Sequence, residues 1–536
     1  MIARPSAAGT WIESFALVGL MAAGCALRIT IWHVHDELSA DEALPGLMAW
    51  HIAQGWEYPA FYYGQFYFGT AEAYVIAALY RLFGFHPWLA IVPPIVASTL
   101  LVPVTFVLGR RLGGPLAGVL AAVPVTVAPP VLTRLFVNTG GGFSLAFLLQ
   151  SAALVCWLRA LDAGSRIWWL AAGSLIFGVL GWIWQPALAL YAALLLVWCA
   201  ITARASLWRF GARLPAAVLP FVVGVAPAAI FNVWHGWLTV EQLAGKYLTP
   251  AGEAGTQPGG GLLPSLLFTA LGGGNETEGG ASYPQAALGV VALPLLVVAS
   301  WLAGRHWAWT AVRRRAWRDA WMLAIAFAVD VAAAHNTTRH LTPGVLLALT
   351  TAPPALVLAG RVLFPRPALL AALFPVTMII ATIVIPNVWL LRNQERIFLH
   401  FVPRHSEALD AVYALEQRGL TRGYSDYWSA YPVTFLSGER IIVAPTVATP
   451  WGGRVDRYPA YTDEVDEVTP FDHLFLLLDD RCKTLAYTLV LEQYDATYQL
   501  EHLIRWFLLW DVQPDSSDRG ETLAAWRRVV ADRKYC

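Results

Sequence analysis

Four carboxylates fall within seven residues, Asp36, Glu37, Asp41 and Glu42, in a polar stretch that follows the first apolar segment. A carboxylate in such a group can take the proton from a hydroxyl nucleophile. The same residues can also simply begin a helix. Ser39-Ala40-Asp41-Glu42 has the spacing of a capping box, in which Ser39 caps the helix and Glu42 reaches back to it. Acidic residues in a first turn also suit the helix dipole. Capping accounts for Ser39 and Glu42, merely tolerates Asp41, and leaves Asp36 and Glu37 unexplained. The two readings are compatible, because a capped turn is a rigid mount for a base. Glu72 is a second acidic candidate, set against the reading of an exposed helix carboxylate.

The elements that would position these groups are short. Gly46-Leu47-Met48-Ala49-Trp50-His51-Ile52-Ala53 breaks at Gly55 and reads as a helix lying in a membrane interface. An aromatic stretch from Tyr58 to Tyr74 then leads into a second helix that ends near Gly84. Tyr63, Gln65 and Tyr67 are candidates for contact with a substrate, although aromatic residues are expected at an interface in any case.

The 536 residues are 57% hydrophobic and 13% charged, about half the charge of a soluble domain, which makes the chain a polytopic membrane protein. The mean hydropathy of +0.54 agrees. Apolar runs long enough to span occur at Trp11–Trp32, Pro87–Leu108, Pro115–Val131, Gly142–Leu161, Ile167–Trp184, Pro186–Ala203 and Leu214–Trp234. Four more lie at Gln285–Gly304, Ala320–Ala334, Leu341–Gly360 and Ala368–Leu391, giving about eleven spans. One set of connections carries fifteen basic residues and the opposite set four. That asymmetry places the N-terminus in the cytoplasm, and the acidic loop at 33–86 and the C-terminal region outside. Ala22-Ala23-Gly24-Cys25 loosely resembles a lipoprotein cleavage site, but the apolar run continues to Trp32, which favours an uncleaved first span.

Balanced charge, 36 basic against 36 acidic residues, gives no footprint for nucleic acid. Cys482 and Cys536 lie in the polar C-terminal region and could pair in an oxidising compartment. No His, Cys and carboxylate cluster has metal-ligand spacing, and His33 and His35 beside Asp36 are too common a pattern to count. The expectation is therefore no metal and no cofactor. The long loop from Trp234 to Pro284, with its glycine runs, could be a substrate gate or a plain surface loop. The expected domains are residues 1–391, a membrane unit that includes the outer loop 33–86, and residues 392–536. In the second, a helix over Ser406–Arg418 and strand-like runs at Ile441–Ala444 and Leu474–Leu478 predict an α/β domain on the outer face.

Several stretches together resemble the GT-C glycosyltransferases of the protein O-mannosyltransferase and aminoarabinose-transferase type. They are Asp41-Glu42 in the first outer loop, the break at Gly55, Tyr63-Gly64-Gln65-Phe66-Tyr67-Phe68 and Trp184-Gln185-Pro186. Arg339-His340-Leu341-Thr342-Pro343 resembles the family's Arg-Tyr-Leu-x-Pro. The stretches from Tyr424 to Tyr431 and from Phe435 to Pro445 resemble the tail domain of bacterial members. The resemblance implies an inverting transfer of a sugar from a polyprenyl-phosphate-linked donor at the outer face of a bacterial inner membrane. It makes Asp41 the expected base, and leaves the acceptor open among lipid, glycan and protein.

Two departures from the family pattern bear on the site. Gly69-Thr70-Ala71 stands where aminoarabinose transferases carry a Glu-Lys-Pro that helps to hold the lipid phosphate. The second outer loop, from Leu132 to Gly142, lacks the acidic residue found there in protein O-mannosyltransferases. A lipid phosphate is already a good leaving group, so the chemistry calls for a base and for cations near the departing oxygen. Arg339 best fits the cationic role, helped by His340, Arg134 or Lys246, with nonspecific headgroup binding as its alternative. Asp330 lies inside a span about 7.5 Å along a helix from His335, and reads as a structural partner for Arg339. Two other functions remain open, a lipid or glycan transporter or flippase and a non-catalytic binding protein of the same descent. Charge-poor spans without an apparent repeat weigh against the transporter.

Overall fold

The computed structural model describes residues 7–128, 130–162, 164–205, 207–248, 403–445, 455–467, 474–478, 481–493 and 495–513. The first helix, α1 (Ala7–His35), has 29 residues, about 43 Å at 1.5 Å per residue, enough to cross a hydrocarbon core. The acidic loop follows. Its helix α2 (Ala40–Gln54) stops at Gly55, which takes the left-handed conformation (φ 78°) that ends helices cheaply only in glycine. A two-stranded hairpin, β1 (Phe61–Tyr62) and β2 (Gln65–Gly69), leads into α3 (Ala71–Phe83).

The chain then returns to apolar helices: α4 (Val92–Gly113), α5 (Pro115–Thr126), the short α6 (Pro130–Phe136), α7 (Phe143–Ala160), α8 (Ile167–Ile183), α9 (Pro186–Ala205), α10 (Leu207–Trp234) and α11 (Leu238–Leu248). Four segments among the described residues are long and apolar enough to cross a membrane: Trp11–Val34, Pro87–Leu112, Gly140–Ala160 and Gly211–Trp234. The expected span Pro115–Val131 divides instead. Its helix ends at Thr126, and Pro130, which has no N–H to donate, opens a new one. The helices over Ile167–Ile183 and Ala187–Cys199 are apolar but shorter. The four expected spans between 285 and 391 lie outside the described residues, as do the Trp234 to Pro284 loop beyond 248 and Asp330.

One buried charge inside the helices has no counterpart in the sequence reading. Arg28 of α1 is 2% exposed. Its Nε donates to Ser98 Oγ at 2.7 Å and its Nη1 to the Gly24 carbonyl at 2.7 Å. Its Nη2 donates to the carbonyls of Ser98 and Val125 at 3.2 and 2.8 Å, and its guanidinium lies over the Phe136 ring. Arg28 thus ties α1 to α4 and α5. At the opposite end of the helices the arginines counted for orientation are engaged. Arg111 bridges Asp162 at 2.9 and 3.0 Å, and Arg110 meets Glu13 at 3.0 Å.

Residues 403–513 build a five-stranded mixed sheet with helices. The order of elements is α12 (His405–Gln417), β3 (Arg422–Ser425), α13 (Tyr427–Leu436), β4 (Ile442–Pro445), α14 (Pro459–Glu467), β5 (Leu474–Leu478), α15 (Arg481–Gln493), β6 (Thr497–His502) and β7 (Phe507–Gln513). The strand order is β4-β3-β5-β7-β6, with β3 parallel to both neighbours and β7 antiparallel to both of its own. The fully buried β5, Leu-Phe-Leu-Leu-Leu, is the continuous apolar run that a strand covered on both faces requires. Because the chain leaves β3 for one side and returns on the other, the carboxyl end of β3 is a topological switch point, where α/β sheets present their ligand crevice.

The helices of the acidic loop share their apolar core with this sheet. Leu47, Met48 and Ile76 share one buried apolar cluster with Ala430, Phe435 and Trp506. The membrane helices have a separate one around Phe147, Trp157 and Phe177. The contact is close at Gly46, where a Cβ would lie 2.3 Å from the Phe435 ring. Residues 36–38 complete the join. The backbone N–H of Leu38 donates to Pro403, and Glu37 bridges Arg404 in antiparallel register.

Candidate functional site

The capping box that the sequence spells is formed. The Glu42 N–H donates to Ser39 Oγ at 3.3 Å, while Ser39 N–H and Oγ–H donate to Glu42 Oε2 at 2.7 and 2.8 Å. Burial raises the Glu42 carboxyl above the usual range, against the opposing pull of Ser39 and Arg134. Glu42 is therefore occupied at the cap. The upstream acids are anchors as well: Asp36 accepts from Ser406 Oγ at 2.5 Å, and Glu37 pairs with Arg134 at 3.1 Å.

Asp41 sits one position before Glu42 in this first turn, and its partner comes from far away in sequence. Tyr427 Oη donates to Asp41 Oδ1 at 2.7 Å across 386 residues. Tyr427 is the first residue of α13, placed by Asp426, whose carboxylate caps that helix by accepting from the N–H groups of Trp428 and Ser429. Burial and the nearby Asp41 charge hold the Tyr427 phenol well above its ordinary value, so it stays a neutral donor. The carboxyl end of β3, the switch point of the sheet, thus meets the candidate base. Beyond Tyr427 lies Arg457, its guanidinium 5.9 Å from the Tyr427 ring. On the membrane side, Thr139 donates to the Glu42 carbonyl at 2.8 Å, and a Cβ on Gly140 would stand 3.0 Å from the Asp41 carbonyl.

A second polar cluster lies at the other end of α2. His51 is 2% exposed. Its Nδ1 is 2.7 Å from both Glu57 Oε1 and Tyr63 Oη, and its Nε2 is 2.5 Å from Glu439 Oε1. Tyr63 also donates to Glu57, and Tyr461 to Glu439. Burial disfavours the charged ring, but Glu439 and Glu57 more than reverse this and lift His51 to about 9. An imidazolium held between two carboxylates therefore joins α2, the loop after it and the turn after α13. Glu439 takes φ 61°, a strained conformation for a residue with a side chain, to reach it.

The remaining candidates are dispersed. Glu72 is 1% exposed, and neither carboxyl oxygen has a hydrogen-bond partner among the described residues. Burial drives it well above the carboxylate range, so it is a neutral acid rather than a surface carboxylate. The Tyr62 hydroxyl nearby is likewise buried without a partner. Gln65 opens β2 opposite Tyr62, and Tyr67 lies on the same strand, its ring 4.8 Å from Phe68. Trp184 bridges Phe68 at the end of α8. Lys246 is on α11, its side chain outside the described set. Arg339, His340 and Cys536 lie outside the described residues. Among the described residues no group of three His, Cys, Asp or Glu could hold a metal ion.

Sequence reasoning missed Tyr427, Arg457, His51 and Glu439. The Tyr424 to Tyr431 stretch drew notice only as a resemblance. Its four aromatic residues around Asp426 were the available signal.

Apolar helices, an outer loop of short helices and a C-terminal sheet make up a fold that this chain shares with solved structures of ArnT and of an archaeal oligosaccharyltransferase. Among solved structures, ArnT from Cupriavidus metallidurans bound to undecaprenyl phosphate matches with a TM-score of 0.59 and 15% identity, over 94% of this chain and 99% of that one. The Archaeoglobus fulgidus oligosaccharyltransferase in the apo form matches at 0.52 and 12% identity, over 95% and 76%. The archaeal oligosaccharyltransferase AglB from Archaeoglobus fulgidus, in complex with an inhibitory peptide and a dolichol-phosphate, matches at 0.52 and 13% identity, over 94% and 75%. No protein-family model matches the chain, and no curated protein does.

Proposed function

We propose that the protein is an inverting glycosyltransferase that moves a sugar from a polyprenyl-phosphate-linked donor to an acceptor hydroxyl at the outer face of a bacterial inner membrane. The reading rests above all on Asp41, set on a capped helix start and held by a phenol from the C-terminal sheet. The fold supports it, being shared with a structure that holds undecaprenyl phosphate.

In the proposed reaction the acceptor O–H gives its proton to the Asp41 carboxylate as the oxygen bonds to the anomeric carbon. The bond from that carbon to the phosphate oxygen breaks, and the electron pair leaves with the polyprenyl phosphate. The leaving group needs no proton, so one base suffices and a second carboxylic acid is not called for. Tyr427 fixes the Asp41 rotamer, and the Ser39–Glu42 box fixes the helix turn that carries it. Glu42 acts through this cap, and Glu72 as a buried neutral acid supports the loop. Arg134 shapes the loop through Glu37, while Arg339 and His340 remain proposed phosphate contacts. Tyr63, Gln65, Tyr67 and Lys246 are proposed donor contacts around the hairpin.

Purified protein incubated with polyprenyl-phosphate sugars of several kinds should release the lipid phosphate with one of them. The Asp41→Asn protein, folded and monodisperse, should be slower by about 10²–10⁴-fold. Full turnover by that variant would remove Asp41 from the chemistry.

A further inference from the structure

A transfer that expels a phosphate needs a cation at the leaving oxygen, and the membrane half offers few among the described residues. Gly69-Thr70-Ala71 carries none, and Arg134 is paired with Glu37. The C-terminal sheet unit supplies one. We propose that Arg457 binds a phosphate oxygen of a substrate, so that the catalytic site is completed by the C-terminal unit. The inference rests on the glycosyltransferase reading, and it places the phosphate between Arg457, Tyr427 and Tyr67.

Arg457 is fixed just before α14, where its backbone N–H donates to Tyr431 Oη at 2.8 Å. The hairpin turn is shaped around it. Gly64 takes φ 64°, and a Cβ there would lie 3.1 Å from Arg457 Cδ and 3.4 Å from its Cα. This close approach lets Nη1 donate to the Gly64 carbonyl at 3.3 Å. That long bond is the only hydrogen bond of the guanidinium to a carbonyl or carboxylate among the described residues. Its Nε is buried with no partner among the described residues. No carboxylate among the described residues forms an ion pair with it. Among the described residues the guanidinium also hydrogen-bonds the Tyr427 side chain and feels the Asp41 charge at longer range. A guanidinium has five donors in a planar fork suited to phosphate. Leaving the buried Nε–H unmet is unfavourable, and an anionic oxygen relieves this. The group also stands at the carboxyl end of β3, where a ligand is expected in a sheet of this topology.

The test uses full-length protein in detergent and native mass spectrometry, with undecaprenyl phosphate as one probe and glycerol 3-phosphate as a lipid-free one. Arg457→Gln should weaken retention of a phosphate probe by about tenfold or more, and Arg457→Lys should restore part of it. Loss confined to undecaprenyl phosphate assigns the donor phosphate, and loss confined to glycerol 3-phosphate assigns a phosphorylated acceptor. Melting temperatures identify a variant that fails to fold. If Arg457→Gln does so, the Arg457→Lys protein decides, since it keeps the charge without the fork and should still bind more weakly. Wild-type binding with no loss in the folded variants overturns the role of Arg457 and leaves the donor reading standing. No binding of either phosphate by the wild type would overturn both.

Discussion

Asp41 differs from its acidic neighbours in what holds it. Asp36, Glu37 and Glu42 each have a structural engagement, with Ser406, Arg134 and Ser39 respectively. Asp41 accepts from the Tyr427 phenol, 386 positions away at the switch point of the sheet, so this contact brings the C-terminal part to the candidate base. Removing the phenol O–H with Tyr427→Phe should lower kcat by about tenfold, because the phenol orients the base. Steady-state kinetics on the reactive donor would check this. Glu72 gives a second prediction at this scale. Its folded-state carboxyl lies well above an ordinary value, so the fold favours the protonated form and loses stability as pH rises past that ordinary value. Glu72→Gln removes this loss and should melt roughly 2 °C or more above the wild type at pH 8, with the gap closing toward pH 5. The capping box and Asp41 were legible from spacing alone, because capping is a local rule. The partners Tyr427, Arg457 and Glu439 were not, because nothing in a local pattern tells which distant segment a loop will meet.

At the scale of elements, α2 is the pivot. Its N-terminus carries Asp41, Gly46 in its middle rests on Phe435, and its last turn carries His51. Gly46→Ala drives a methyl into a ring that is 2% exposed and cannot swing aside. The cost should be about 1–3 kcal/mol of stability, and turnover should fall as Asp41 moves relative to Tyr427. The His51 junction makes stability depend on pH. Its imidazolium is raised to about 9 in the fold, so its contribution is complete below about pH 6.5 and is lost as pH rises through about 9. The groups facing it, Glu57, Glu439, Tyr63, Tyr458 and Tyr461, lie on the loop after α2, the turn after α13 and the start of α14. His51→Gln should melt lower than wild type at pH 6, and the difference should shrink toward pH 9.5. The reverse trend in calorimetry would contradict the charge assignment. The ends of α2 and α3 were readable at Gly55 and Gly84, since a glycine terminator is local. The division of Pro115–Val131 was not read, because hydropathy does not register where a proline restarts a helix.

At the scale of the molecule, two apolar clusters divide the labour. One packs the membrane helices, while the other joins the outer loop to the C-terminal sheet. The apolar runs of β4 and β5 announced the sheet, but its union with the first outer loop was invisible without Gly46, Phe435 and Leu38 brought together. If the arginine-rich ends face the cytoplasm as proposed, the sheet faces outward. In a background with Cys482 and Cys536 replaced by serine, Tyr413→Cys, an exposed site on α12, should react with an impermeant maleimide in right-side-out vesicles. Arg166→Cys, before α8, should react only after the membrane is opened. The same labelling pattern at both sites would contradict the orientation. The central claim is that Asp41 drives sugar transfer from a polyprenyl-phosphate donor. The most direct measurement is release of the lipid phosphate by wild-type and Asp41→Asn protein, each shown to be folded by its melting curve. Release by the wild type, reduced by at least about a hundredfold in the variant, is the expected result; equal release by the two would contradict the claim.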